Sequence, residues 1–143
     1  ARQRRLRWQA FADLRWQLVD QETSFTDKFV QGTEALHHAL SSDLDTPAAV
    51  VAIEQAISGT ENGVGLSDEP ALRKLLEAVR DLLGLDLLAT PDITSQQRDS
   101  IAQRENARHT QNWALADKLR DELAAENITV RDTDSYTFWT REI

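Results

Sequence analysis

Apolar residues recur at helical spacing along most of the chain, and only the last stretch alternates as strands do. Six segments have the helical spacing, at 3–21, 25–41, about 47–58, about 69–83, 95–110 and 113–126. Residues 128–131 and 136–141 are rich in β-branched and aromatic residues and predict a hairpin, with Asp-Thr-Asp-Ser at its turn. We therefore predict a mainly α fold: a helical bundle followed by a small α+β module of two helices and a β-hairpin.

The ends of these helices carry residues that can cap a helix. Thr46 is the predicted N-cap before Pro47, because proline is well suited to the first helical position. Gly84 predicts a left-handed end for the fourth helix. The other predicted caps are a capping box of Thr94 and Gln97, Asn112 before the sixth helix, and Asn127 after it.

Two glycine- or proline-containing segments divide the chain. Residues 58–65, SGTENGVG, hold three of the five glycines and predict an exposed loop. Residues 84–94, GLDLLATPDIT, contain Pro91 and predict the boundary between two domains. On this basis the bundle comprises residues 1–90 and the C-terminal module residues 91–143.

The net charge of −8 on 143 residues argues against a general nucleic-acid-binding protein. Its distribution weakens that objection. Residues 1–7 carry four Arg and no acid, residues 8–93 carry five bases and fifteen acids, and residues 94–143 carry seven bases and nine acids. Because the acid is concentrated in the middle, the last third can still hold a local site for nucleic acid.

Several kinds of site and location are disfavoured by what the sequence lacks. It contains no Cys, so it has neither disulfides nor a thiolate metal site, and its three His lack partners at metal-ligand spacing. No apolar run reaches membrane-spanning length, and no secretory signal pattern occurs. The chain contains no Met and opens with ARQRR, so we interpret it as a piece of a longer protein of the reducing cytoplasm.

The sixth predicted helix carries a candidate site. Trp113, Asp117 and Arg120 are spaced i, i+4 and i+7, so at about 100° per residue they share a narrow stripe. An aromatic ring beside a carboxylate and a guanidinium can stack on an unpaired base and read its edges. Spacing alone equally fits a surface ion pair and a tryptophan that packs at the helix corner. A separate apolar stripe consists of Leu115, Leu119 and Leu123.

One sequence motif decides between these interpretations. The string R-x-x-A-R-x-x-x-x-W-x-x-A-D-x-x-R-D-x-L begins at Arg104, and it is followed by I-x-V-x-D from Ile128 and T-x-W from Thr137. This order resembles the C-terminal end of bacterial cysteinyl-tRNA synthetases. A second segment, LHHALSSDLDTP at 36–47, resembles the start of a helix in the anticodon-binding bundle of the same family. The resemblance spans roughly residues 25–143.

The resemblance implies that the chain binds tRNA(Cys) and reads its anticodon. It implies a DALR-like anticodon-binding bundle at 1–90 and a recognition module at 91–143. The family's anticodon-contacting positions are all filled by the expected residue type. In this sequence they are Arg108 for a base edge, Trp113 for stacking, Asp117 as an acceptor, Arg120 as a donor, and Asp132 at the end of the first hairpin strand.

The same resemblance implies that the aminoacylation reaction is carried out by another domain of the full-length protein. In the family an upstream Rossmann-type domain binds ATP and zinc and carries H-I-G-H and K-M-S-K-S motifs, none of which occurs here. We expect the full-length protein to be an ATP-dependent cysteine–tRNA ligase, and this fragment to be inactive alone and without a cofactor of its own. The expected partners are tRNA(Cys) and the catalytic domain of the same chain, in a monomer without membrane contact.

Three alternatives remain open at the level of sequence. They are a related ligase that joins cysteine to a glycosylated inositol amine, a freestanding helical binding module without a catalytic partner, and a purely structural helical protein. The sequence also departs from the family, which commonly has glycine where Asn127 and Tyr136 stand. Phe138 and Trp139 are predicted to lie in the core of the hairpin module rather than to contact RNA.

Overall fold

The computed structural model describes residues 2–42, 44–133 and 136–141, and the chain divides into two compact units, Ala1–Pro91 and Asp92–Ile143. Within the described residues there are six α-helices and one two-stranded antiparallel sheet. The predicted mainly α fold with a C-terminal hairpin is therefore confirmed. Asp134 and Ser135 of the predicted hairpin turn lie outside the described residues.

The first unit contains four of these helices and the second contains the other two with the hairpin. The elements of the first unit are α1 (Arg2–Asp13), α2 (Thr26–Ser42), α3 (Thr46–Ile57) and α4 (Glu69–Leu83), with 3₁₀ turns at Leu14–Trp16 and Leu66–Asp68. Those of the second unit are α5 (Ser95–His109), α6 (Trp113–Ala125), β1 (Ile128–Asp132) and β2 (Thr137–Arg141). No helix of the described ranges is both long and apolar enough to span a membrane.

Helix α2 is central to the first unit because it packs against both α3 and α4. Its Phe29 and Leu36 are fully buried, and Phe29 makes an edge-to-face contact with Phe11 of α1. Gly32 allows α2 to approach α3 closely, since a Cβ atom at this position would lie 2.9 Å from the Cβ of Ala56. The core of this unit is therefore built around one helix that contacts its neighbours on two sides.

The predicted first helix, 3–21, is wrong in its second half. Helix α1 ends at Asp13, and after a 3₁₀ turn the chain runs extended beside the loop before α4. The N–H of Val19 donates to the carbonyl of Val64 at 3.0 Å, and the N–H of Leu66 donates to the carbonyl of Val19 at 3.1 Å. Val19 is buried by this pairing, so its apolar character reflects tertiary contact rather than a helical face.

The predicted start of α3 is displaced by one residue. Asp45, not Thr46, is the N-cap, because its Oδ1 accepts a hydrogen bond from the N–H of Ala48 at 3.0 Å. Thr46 and Pro47 then occupy the first two helical positions. Aspartate and threonine are both good N-caps, so spacing from Pro47 alone could not separate them.

The 58–65 segment is a loop as predicted, but it is not simply exposed. Val64 is completely buried, and the Thr60 side chain is also buried and donates to the carbonyl of Ile57. The loop is held by Asp68, whose Oδ2 accepts from the N–H of Gly65 at 2.9 Å. Gly63 and Gly65 are thus part of a packed connection, whereas Ser58, Gly59, Glu61 and Asn62 are exposed as predicted.

Asp68 also joins this loop to the start of α2. Its Oδ1 accepts hydrogen bonds from the Ser24 hydroxyl (3.0 Å), the Phe25 N–H (2.9 Å) and the Thr26 hydroxyl (2.8 Å). Burial by itself would raise the pKa of Asp68, but these hydrogen bonds and that from the Gly65 N–H hold the pKa below its ordinary value. A buried carboxylate thus fixes two segments that are about 40 residues apart in sequence.

The second unit has its own small core. Ile93, Leu123, Ile128 and Trp139 form a buried cluster, and α5 and α6 pack against each other around it. The hairpin register pairs Val130 with Trp139 and Asp132 with Thr137. Phe138 and Trp139 are both buried, which confirms that they belong to the core.

The predicted caps of the remaining helices are confirmed. The Thr94 side chain accepts from the N–H of Gln97, and Gln97 accepts from the N–H of Thr94, which completes the capping box. The Asn112 side chain accepts from the N–H of Leu115 at the start of α6. Asn127 has a φ of 65°, as its predicted left-handed position after α6 requires.

Gly84 gives a direct test of the left-handed end of α4. Its φ is +71° and a Cβ would meet nothing within 4 Å, so Gly84→Ala should cost only the backbone strain, about 1–2 kcal/mol of unfolding free energy. Gly84→Asn should lose less, because asparagine tolerates this conformation. Urea denaturation of the three proteins measures the order, and an alanine variant as stable as the wild type would contradict it.

Candidate nucleic-acid interface

A cleft with a volume of about 310 Å³ lies within the second unit, between the end of α5, the start of α6 and the hairpin. It brings together three of the five predicted residues, Arg108, Trp113 and Asp132. Its volume is at the lower end of the range for small-molecule sites. Its lining residues are Glu105, Arg108, His109, Trp113, Asp132, Thr133, Tyr136 and Thr137.

Trp113 presents its ring to solvent at the mouth of this cleft. It is the first residue of α6, directly after the Asn112 cap, and it is 57% exposed. A tryptophan that packed into the helix corner would be largely buried, so the structure does not support that interpretation. An exposed indole on a capped helix is a fixed surface on which an unpaired base can stack.

Asp117 and Arg120 follow Trp113 along α6 but do not line the cleft. Both are exposed, and Arg120 Nη2 lies 3.6 Å from Asp117 Oδ1. In this conformation they form the surface ion pair that spacing also allowed, which contributes little stability. Leu119 and Leu123 are buried as predicted, whereas Leu115 of the same predicted stripe is 38% exposed.

Asp132 is the best-anchored acid of the cleft. Arg104 donates to it with both ends of its guanidinium, from Nη1 to Oδ1 at 2.9 Å and from Nη2 to Oδ2 at 2.7 Å. Arg108 Nη1 lies 2.8 Å from Oδ2, and the Thr137 hydroxyl lies 3.0 Å from Oδ1. Hydrogen bonding by Arg104 lowers the pKa of Asp132 to about 2, although burial opposes the shift.

The Arg108 guanidinium is paired through Nη1 and is partly accessible to solvent. Its side chain is 41% exposed, and Asp132 is the partner that the described residues give it. A guanidinium has five N–H donors in a planar fork, so one ion pair leaves most of them available. Arg108 can therefore donate to a group that enters the cleft.

The sequence analysis missed five residues of the cleft, Thr133 among them, and one residue beside it. Glu105, His109 and Arg108 share one face of α5 at helical spacing, and the hairpin register places Thr137 opposite Asp132. The Thr137 hydroxyl lies 2.5 Å from Glu105 Oε1. Helical spacing combined with the hairpin register could have indicated this grouping. The missed lining residues with side chains near the predicted ones are Glu105, His109, Tyr136 and Thr137, and the one beside the cleft is Arg104.

The lowered pKa of Asp132 predicts that the folded chain loses stability as the pH falls. A carboxyl whose folded pKa is about 2, against an ordinary 3.8, stabilises the fold above the ordinary value and loses that effect as pH falls toward 2. Unfolding free energies measured from pH 6 to pH 3 should therefore fall more steeply for the wild type than for Asp132→Asn. Parallel curves would contradict the ion network.

The sequence of the second unit matches a known protein family. The family model described as the cysteinyl-tRNA ligase anticodon binding domain matches residues 90–139. Those residues belong to the cysteinyl-tRNA ligase anticodon binding domain family. The match covers almost the whole second unit and includes all five candidate residues.

Curated cysteine–tRNA ligases extend the similarity into the first unit. The enzyme of Renibacterium salmoninarum is 29% identical over 120 residues, which is 76% of this chain and 24% of that protein. The Kocuria rhizophila enzyme is 31% identical over a segment that covers 72% of this chain and 24% of that protein. The Cutibacterium acnes enzyme is 27% identical over 92% of this chain and 29% of that protein. The chain thus spans about a quarter of the length of these ligases. No solved structure matches it.

Among the residues that the structure describes, no group of three or more His, Cys, Asp or Glu side chains could hold a metal ion. The cleft is instead lined by aromatic, hydroxyl and charged side chains. Donors, acceptors and an exposed ring in one place are what recognition of an unpaired base requires.

Proposed function

We propose that this chain is the C-terminal tRNA-binding region of a cysteinyl-tRNA synthetase and that it recognises the anticodon of tRNA(Cys). Residues 1–90 are the DALR-like helical bundle of this region, and residues 91–143 are the anticodon-recognition module. The observation that carries the proposal is the cleft of the second unit, where an exposed Trp113 stands beside the available donors of Arg108.

Each of the five residues has a distinct task in this proposal. Trp113 stacks on an anticodon base, and Arg108 donates hydrogen bonds to the edge of a base in the cleft. Asp117 and Arg120 exchange their mutual ion pair for contacts with a neighbouring base, since an exposed pair at 3.6 Å costs little to separate. Asp132 lines the cleft as an acceptor for the edge of a base.

The charge of the chain fits recognition by base contacts more than by phosphate contacts. With a net charge of −8, few tRNA phosphates can be neutralised, so binding by this region alone is expected to be weak. Discrimination between bases depends on local donors and acceptors and is retained when phosphate contacts are few. The region thus contributes specificity to a larger enzyme.

The remainder of the enzyme supplies the reaction. In this proposal the full-length protein is a monomeric, cytoplasmic, ATP-dependent ligase. Its catalytic domain, which binds ATP and zinc, attaches cysteine to the tRNA. This 143-residue chain does not catalyse the reaction by itself, and its partners are tRNA(Cys) and that catalytic domain.

The proposal is tested by comparing two RNAs that differ only in the anticodon. Binding of the chain to a tRNA(Cys) transcript and to the same transcript with a substituted anticodon is measured by fluorescence anisotropy at low salt. We expect a preference for the native anticodon that Arg108→Ala removes. Arg98→Ala is the matched control, because Arg98 is an exposed arginine of the same helix that pairs with Asp92 outside the cleft.

Equal binding of both transcripts by the wild-type chain would contradict anticodon recognition by this fragment. Measuring kcat/KM for aminoacylation of the same two transcripts by the full-length protein then distinguishes a region that needs the rest of the enzyme from one that does not read the anticodon. Loss of the preference in Arg98→Ala as well as Arg108→Ala would show a general charge effect rather than a contact in the cleft.

A further inference from the structure

We infer that Arg104 and Asp132 are positioning residues that direct the Arg108 guanidinium into the cleft. The use of the cleft rests on the proposed function, but the positioning of Arg108 concerns the free protein. The inference gives Asp132 a task besides the RNA contact that resemblance assigns to it. It also assigns a task to Arg104, which is not one of the five predicted contact residues.

The carboxylate of Asp132 bridges the two arginines. Oδ1 accepts from Arg104 Nη1, and Oδ2 lies within reach of Arg104 Nη2 and Arg108 Nη1. The Thr137 hydroxyl lies 3.0 Å from Oδ1 and 2.5 Å from Glu105 Oε1, and its single proton can be donated to only one of the two acids. The shared carboxylate thus links the exposed Arg108 to the buried Arg104.

Arg104 is placed to hold Asp132 rather than to reach RNA. It is a buried residue, with 6% of its surface exposed, and its two-point contact with Asp132 has the strongest geometry available to an arginine–carboxylate pair. Its pairing with Asp132 also raises the pKa of Arg104. A buried, doubly bonded guanidinium is a fixed element of the protein and not a flexible contact.

Asp132 also allows two like charges to lie on one face of α5. Arg104 and Arg108 are four residues apart, so their side chains are neighbours and repel each other without an anion between them. Oδ2 of Asp132 contacts both guanidinium groups, at 2.7 Å and 2.8 Å. Removing the anion should therefore drive Arg108, the more exposed of the two, away from its present direction.

The structural part is tested without RNA. The order parameter of the Arg108 Nε–H bond is measured by NMR in the wild type, Asp132→Asn and Arg104→Lys. We expect Arg108 to be ordered in the wild type and less ordered in both variants, because lysine keeps the charge of Arg104 but loses its two-point contact. Asp92→Asn is the matched control, since it removes an arginine partner outside the cleft and should leave Arg108 unchanged.

An Arg108 that is equally mobile in the wild type and in Asp132→Asn would overturn the inference, whether or not the chain binds RNA. The signals of the buried Trp139 in the same spectra report whether the hairpin of each variant is intact. If Asp132→Asn disturbs the hairpin, Arg104→Lys decides the question, because the acid and the Thr137 contact remain in that variant.

The use of this arrangement is tested on anticodon preference with Arg104→Lys, which keeps the carboxylate of Asp132. The variant should lower the preference at least fivefold, because Arg108 is no longer directed into the cleft. A preference equal to that of the wild type would overturn the inference. A wild-type chain without any preference would instead contradict the proposed function, and the NMR result would still decide the positioning.

Discussion

Replacing Trp113 with alanine is expected to weaken binding of the chain to tRNA(Cys) by about 5- to 150-fold, or 1–3 kcal/mol, while leaving the fold intact. The large effect on binding follows from loss of a stacking surface for an unpaired base. The small effect on stability follows from exposure, because 57% of the Trp113 surface is accessible to solvent and little packing is lost. Titration of labelled tRNA and a thermal melt of the same sample measure the two quantities.

Trp16→Ala is the matched control for this prediction. Trp16 is also an exposed tryptophan, at 38%, but it belongs to the first unit and stacks with Arg15. Its loss should leave the affinity for tRNA(Cys) nearly unchanged. Equal weakening by the two substitutions, or a Trp113→Ala variant that unfolds, would contradict a specific stacking role for Trp113.

Replacing Asp68 with alanine is expected to destabilise the first unit by roughly 3 kcal/mol or more. The substitution leaves the N–H groups of Phe25 and Gly65 and the hydroxyls of Ser24 and Thr26 without the acceptor that they share. The Gly65 N–H is buried and carries a desolvation cost when it is left unpaired, and Asp68 is itself fully buried. Hydrogen exchange of the α2 and α4 amides measures the loss within the unit.

Asp81→Ala is the control for Asp68→Ala, because Asp81 is an exposed acid of the same unit that pairs only with its neighbour Arg80 among the interactions described. It should change stability by less than about 0.5 kcal/mol. Since the pKa of Asp68 is held below its ordinary value, its stabilisation is present above that value and disappears as pH falls. Equal exchange rates in Asp68→Ala and Asp81→Ala would contradict the account of the buried network.

Local signals in the sequence predicted most of the helix ends. The capping box at Thr94, the cap at Asn112 and the left-handed positions at Gly84 and Asn127 depend on neighbouring residues alone, so spacing was sufficient to find them. The end of α1 was not predictable in this way. The residues after it are buried by pairing between Val19 and the loop before α4, which is a tertiary contact that no helical period encodes.

The candidate site was predicted residue by residue, but its arrangement was not. Trp113, Asp117 and Arg120 could be placed on one face of α6 by counting, yet only Trp113 lines the cleft. The pairing of Asp132 with Arg104 and Arg108 depends on how the hairpin packs against α5, so spacing could not indicate that this acid bridges two arginines. Resemblance predicted the five residues, and of these the structure places Arg108, Trp113 and Asp132 in the cleft.

The most direct test of anticodon recognition uses the four tryptophans as separate probes. The chain is labelled with 5-fluorotryptophan, and ¹⁹F spectra are recorded with the anticodon stem-loop of tRNA(Cys) and with a stem-loop carrying a substituted anticodon. We predict that the Trp113 signal shifts strongly with the native stem-loop and weakly with the substituted one, while the buried Trp8 and Trp139 and the distant-in-sequence Trp16 change little. A Trp113 signal that stays in place when RNA binds, or that shifts equally with both stem-loops, would contradict the claim that this cleft reads the anticodon.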